Sequence, residues 1–148
     1  MTDSADQDLV RKIISSCRYL TLATCDSSEP WAAPIEFLCD DDLNFFFLST
    51  DDSLHSRQIA SNPRVALALF DSEQPEYSAN LTARLRGVQI RATATRLSPE
   101  NHPESVAAAI EVLNPPMPPY SVFKVSPVTF YLPRIVNGVN ERVEVKMH

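Results

Sequence analysis

Two short apolar runs, residues 43–48 (LNFFFL) and 65–70 (VALALF), frame the most informative stretch of the chain. Each is too short for a free-standing helix and the first is rich in aromatics, so both read as strands buried on two faces. Between them stand Ser49, Thr50, Asp51, Asp52 and Ser53, any of which can cap a helix. About two helical turns follow, stopped by Asn62 and Pro63. Upstream, Leu9, Val10, Ile13, Ile14 and Cys17 recur at helical spacing and predict an amphipathic helix over residues 6–17. Residues 19–25 read as a strand. Residues 30–38 (PWAAPIEFL) alternate loosely, with Trp31, Ala33, Ile35 and Phe37 on one face. Two prolines cannot both sit in mid-sheet, so this is an edge strand, or one facing a gap. Asp40, Asp41 and Asp42 form the turn into the first apolar run.

After a polar loop, residues 81–97 read as one long strand whose phase flips. Leu81, Ala83 and Leu85 are odd-numbered; Val88, Ile90, Ala92 and Ala94 are even-numbered. A flip requires one extra residue, and Gly87 is the expected site of that β-bulge, redirecting Arg86. Ser98, Pro99 and Glu100 open a last helix with Val106, Ala109, Ile110 and Leu113 on its apolar face. Residues 114–119 (NPPMPP) make a stiff connector. Strands over 129–136 and 139–146 close the pattern, joined by Asn137 and Gly138, a strong hairpin signal. The sum is an α+β chain, mainly β: a split barrel of about six to seven mostly antiparallel strands with three helices, in one domain over residues 1–148.

Composition narrows the function. A length of 148 residues suits one domain with a real core, and 44% hydrophobic against 22% charged residues is a globular balance. A formal charge of −6 argues against a broad nucleic-acid-binding face. No apolar run reaches the length of a membrane span and the polar first residues do not read as a signal peptide. Cys17, Cys25 and Cys39 show neither CxxC spacing nor a His/Cys cluster; they suit a reducing cytoplasm and give no metal site. Twelve prolines against two glycines leave most turns to Pro, Asp, Asn and Ser. Hydroxyls and free N–H groups at the start of the short helix, with His55 and Arg57 close behind, are what a phosphate needs; a capped surface helix shows the same residues.

Three segments, LATCDSSEPWAAPIEF, FFFLSTDDSLHSRQIASNPRVAL and RLRGVQIRATATRL, together resemble the pyridoxamine-phosphate-oxidase-like family of FMN-binding split barrels, in particular a small bacterial branch of it. The resemblance runs from the first helix to the final hairpin. It implies FMN bound at a homodimer interface, with the strand matching Trp31, Ala32, Ala33, Pro34, Ile35 and Glu36 against the flavin ring. It implies Ser49 and Thr50 near the ribityl phosphate, and basic phosphate ligands at the start of the helix. Where the oxidase has an Arg-Lys pair this chain has Leu54 and His55, so one cation is absent and the other titrates near neutrality. Arg57 and Arg86 are the candidates to compensate. Gly87 stands where the oxidase has a flavin-contacting glutamine, and the C-terminal substrate-binding Arg and Trp features have no counterpart. These departures argue against pyridoxamine-phosphate oxidation itself.

The expectation is an FMN-binding flavoprotein, an oxidoreductase on an unidentified small molecule, cytoplasmic and homodimeric. No acid, base or nucleophile in the sequence demands a role, which fits chemistry carried by a cofactor. The competing readings are a protein that binds flavin, deazaflavin or haem without turning anything over, with His102 or His148 as formal haem ligands, and a dimer that has lost its cofactor.

Overall fold

The computed structural model describes residues 3–71, 86–116 and 119–148. Helix α1 (Ser4–Ser16) starts where the Asp3 carboxylate accepts the Ala5 N–H at 3.1 Å. It buries Val10, Ile13 and Ile14, the stripe its spacing predicts. Strands β1 (Tyr19–Cys25), β2 (Pro30–Glu36), β3 (Leu38–Cys39) and β4 (Phe45–Ser49) follow, then helix α2 (Leu54–Ser61) and β5 (Arg64–Phe70). Beyond them lie β6 (Gly87–Leu97), helix α3 (Pro103–Leu113), β7 (Ser121–Val136) and β8 (Val139–Val145).

All pairings are antiparallel, in the order β2-β1-β5-β6-β7-β4-β3, with β8 added to β7. The sheet curls around one core that includes Leu22, Phe45, Phe47, Leu67, Ile90, Phe123 and Leu132. Its two flanks, β2 and β4, come alongside each other without sharing a ladder. The barrel is therefore split, and the seam runs between β2 and β4. Among the described residues the proline-bearing strand is an edge strand, paired with β1 alone.

The strand count is eight among the described residues because the short β3 adds a hairpin with β4; the strand expected over 129–136 is one longer strand that begins at Ser121. Asn137 and Gly138 both take positive φ, 51° and 78°, as the tight β7–β8 turn requires. Helix α3 starts at Pro103, later than expected. Ser98 instead holds a separate turn, its hydroxyl accepting the Asn101 N–H at 3.2 Å and its carbonyl the His102 N–H at 2.9 Å. Pro103 is suited to the first helical position because its missing N–H has no helical partner to lose. Ile110 is 42% exposed, off the buried face that Val106 and Ala109 form.

Among the described residues the register shift lies on β7, opposite Arg91 and Ala92. Gly87 pairs regularly with Phe70, and the alternation from Gly87 to Ala94 is unbroken. The register shifts where Arg91 faces Thr129 and Ala92 faces Pro127, so Val128 is the extra residue, 69% exposed. A proline has no N–H to give a ladder, which makes Pro127 the natural place for the break. The odd-numbered half of the phase flip, Leu81 to Leu85, lies outside the described residues.

Candidate functional site

The seam is where an edge backbone, buried hydroxyls and a histidine meet. On its β2 side, Ala33 and Ile35 point into the core while Ala32 and Pro34 are exposed and Trp31 is 45% exposed. Glu36 at the strand's end pairs with Arg18, Nε to Oε1 at 2.8 Å. A crevice of about 210 Å³ opens between the flanks, with Pro34, Ile35 and Glu36 on one wall and Leu48 on the other. Leu113 and Tyr120 close its mouth.

On the β4 side the strand ends at Ser49, which is buried, and Ser53 caps α2 by accepting the Ser56 N–H at 3.3 Å. A hydroxyl carries one hydrogen, and counting hydrogens fixes the direction of the whole chain. Ser53 Oγ donates to Ser56 Oγ at 2.7 Å, so its 2.9 Å contact with Ser49 Oγ is donated by Ser49. A 3.4 Å contact of Ser49 Oγ with the Thr50 carbonyl is the weaker alternative for the same hydrogen. The 2.8 Å contact between Ser49 Oγ and His55 Nε2 is therefore donated by the imidazole. His55 carries its proton on Nε2, leaving Nδ1 as the atom that gains a proton when the ring becomes charged. Phe47 meets the ring edge-on at 6.0 Å between centroids and itself stacks on Phe123. Burial holds the His55 pKa below the ordinary histidine value. Thr50 is half-buried, its carbonyl accepting the Ser53 N–H at 3.3 Å.

The next turn of α2 carries a fixing contact that the sequence reading missed. Gln58, 1% exposed, accepts the Thr24 hydroxyl at 2.5 Å and donates to the Glu29 carbonyl at 3.0 Å. These bonds tie the helix to β1 and to the turn before β2, which sets His55 relative to the seam. The available signal was a glutamine beside Ile59 on the helix's buried face.

The expected basic residues separate. Arg57 is exposed and lines a different cavity, of about 420 Å³, between α2 and β6. Arg86 stands just before β6, its Nη2 2.7 Å from Oδ2 of the buried Asp71, at the end of the strand opposite Arg96. Its Nε is buried without a hydrogen-bond partner among the described residues. Gly87 lies beside it, on the outer sheet face shared with Pro34 and Phe70. Of the expected residues, Pro34, Ile35 and Glu36 line the seam crevice, Ser49 and His55 are bonded to each other where β4 leads into α2, Arg57 and Gly87 line other hollows, and Arg86 pairs with Asp71. His102 caps the start of α3, and His148 borders a surface hollow along β7 and β8. Among the described residues no three His, Cys, Asp or Glu side chains are placed to share a metal ion, and no helix is long and apolar enough to cross a membrane.

An antiparallel barrel open along one seam, with a short capped helix between its fourth and fifth strands, defines the split-barrel class. A model of the pyridoxamine 5'-phosphate oxidase family matches residues 7–132, and the chain belongs to that family. No curated protein sequence matches it. Solved structures repeat the fold. A haem-binding protein from Mycobacterium smegmatis superposes with a TM-score of 0.69 at 20% identity, covering 98% of this chain and 59% of that one. A FAD-binding protein from Mesorhizobium loti gives 0.67 at 16%, covering 86% and 91%. An F420 reductase gives 0.60 at 20%, covering 81% and 94%. At such identities the likeness is one of fold, which different cofactors share.

Proposed function

We propose that this chain is a flavoprotein that holds FMN along the β2–β4 seam of a homodimer and serves as an oxidoreductase for a small molecule. The observation that carries the reading is the seam itself. An edge strand with small exposed residues, Ala32 and Pro34, stands beside a strand end and helix start bearing Ser49, Thr50 and His55. In this reading the β2 backbone from Trp31 to Glu36 takes the rim of the ring, and Ser49, Thr50 and His55 take the phosphate. When bound, FMN supplies the redox chemistry, while the protein holds and orients it.

The residues fit that group at its ring end more fully than at its phosphate end, where one titratable cation replaces two fixed ones. The seam crevice, about 210 Å³, is also smaller than the ~300–1,000 Å³ of usual cofactor pockets. A second copy of the chain would supply the missing wall. The outer face of β2, β1 and β5 is suited to it, being small-residued (Ala32, Ala66, Ala68) with Tyr19 and Phe70 54% and 60% exposed. The F420 reductase and haem-binding neighbours keep deazaflavin and haem as the competing ligands.

Absorbance after gel filtration of protein mixed with FMN, a deazaflavin or haem decides between them. Retained flavin absorbance on a dimer is expected. A Soret band without flavin uptake, or uptake of nothing at all, overturns the proposal.

A further inference from the structure

The cavity between α2 and β6 lies on the flank of the helix facing away from the seam and has no part in the reading above. Its floor is apolar: Ile59, Ala60, Pro63, Ala94 and Phe123. Its rim is polar and net cationic. Arg96 holds the Asp51 carboxylate with two bonds, Nε to Oδ1 at 2.8 Å and Nη2 to Oδ2 at 3.1 Å, and also reaches Ser121 Oγ at 3.1 Å. That pair is neutral as a unit. The side chain of Arg57, on the same rim, has no hydrogen-bond or ion-pair partner among the described residues. In a chain of formal charge −6, one uncommitted guanidinium over an apolar hollow is a local exception.

The second observation comes from the hydroxyl chain. The hydrogens run from His55 Nε2 through Ser49 and Ser53 to Ser56 Oγ, and the hydrogen of Ser56 has no acceptor among the described residues. Ser56 is 4% exposed, and it lines this cavity. A buried hydroxyl donor left unmatched costs free energy, and here it opens on a hollow whose rim also carries the Arg57 cation. We infer that the cavity binds a small organic acid. Its carboxylate or phosphate accepts the Ser56 hydrogen and pairs with Arg57, and its apolar body lies against Ile59, Ala94 and Phe123. A volume of about 420 Å³ is within the range of small-molecule sites. The fork of Arg57 suits either oxyanion.

Amide NMR titration of the full chain with benzoate, phenyl phosphate and benzyl alcohol tests this. Both acids are expected to shift the Ser56, Arg57 and Thr95 amides, while the neutral alcohol binds much more weakly. The stronger of the two acids identifies the head group. Arg57→Gln should weaken the acids roughly ten- to hundredfold, the worth of a charged hydrogen bond. Ser56→Ala should weaken them less, and Arg64→Gln, on the outer face of β5, should leave them unchanged. Equal binding of the alcohol, an unaffected Arg57→Gln variant, or shifts centred elsewhere would overturn the inference. Repeating the titration with saturating FMN separates the two sites. Displacement of the acid by FMN would show a single shared site and also overturn it, whereas a chain that takes up no FMN leaves this result standing.

Discussion

Strands β4 and β5 descend from two apolar runs that look alike in sequence, and the structure treats them differently. In β4, Phe45 and Phe47 enter the barrel core while Phe46 enters a second cluster with Leu97, Val106, Ala109 and Val122 beneath α3. In β5 only Val65, Leu67 and Leu69 are buried; Arg64, Ala66, Ala68 and Phe70 face outward. The difference is whether a helix covers the outer face. It teaches that an unbroken apolar run marks a face to be covered without saying what covers it. For β4 the cover is in the same chain, and for β5 we assign it to a second copy.

That contrast is breakable, most forcefully at the phenylalanines. Phe46→Ala should cost about 3–5 kcal/mol, as emptying a packed aromatic site does, whereas Phe70→Ala should stay within about 0.5 kcal/mol for the monomer. Urea unfolding of both variants checks this, and similar losses would erase the distinction between the strands. A charge on the outer face sharpens it further. Ala68→Arg should leave monomer stability nearly unchanged yet shift light scattering from dimer to monomer. A dimer that survives the substitution would move the covering copy to another surface.

A smaller effect separates the His55 end of β4 from the rest. Burial lowers the folded-state pKa of His55, so below the unfolded value, about 6.5, the unfolded chain binds the proton more readily than the folded one. The free protein should therefore lose stability as pH falls from about 6.5 toward the depressed folded value. Melting temperatures of the wild type and His55→Gln at acid and neutral pH measure it, and an equal acid loss in both would place its origin elsewhere. Smallest of all, Asp51→Asn should change stability by less than about 1 kcal/mol in the same assay, because the Asp51–Arg96 pair is exposed on both sides, 61% and 51%.

Much of the fold was legible because it rests on local signals. Asn137-Gly138 gave a hairpin, Ser53 and Pro63 bounded α2, and the prolines of β2 gave an edge. For the candidate site, what the sequence made legible was the placing of consecutive residues: β2 at the edge of the sheet, and Ser49, Thr50 and His55 from the end of β4 into α2. What failed depended on cross-strand partners. The bulge at Val128 answers to Pro127 facing Ala92, and neither β6 nor β7 read alone reveals that pairing. Arg86 looked available because the sequence does not show Asp71 beside it, 2.7 Å away. Gln58 was passed over for the same reason, since its partners, Thr24 and the Glu29 carbonyl, lie on another hairpin.

If the seam holds FMN through His55, FMN and riboflavin should bind this chain differently. The two ligands share the ring and differ by the phosphate. Fluorescence titrations with wild type and His55→Ala should show FMN weakened by about 1.5–3 kcal/mol, the worth of a hydrogen bond to a charged group, with riboflavin nearly unchanged. For the wild type the FMN advantage should shrink as pH rises and His55 loses its Nδ1 proton. Equal losses for both ligands, or no loss for either, would overturn this and leave His55 as a half-buried residue of the first turn of α2.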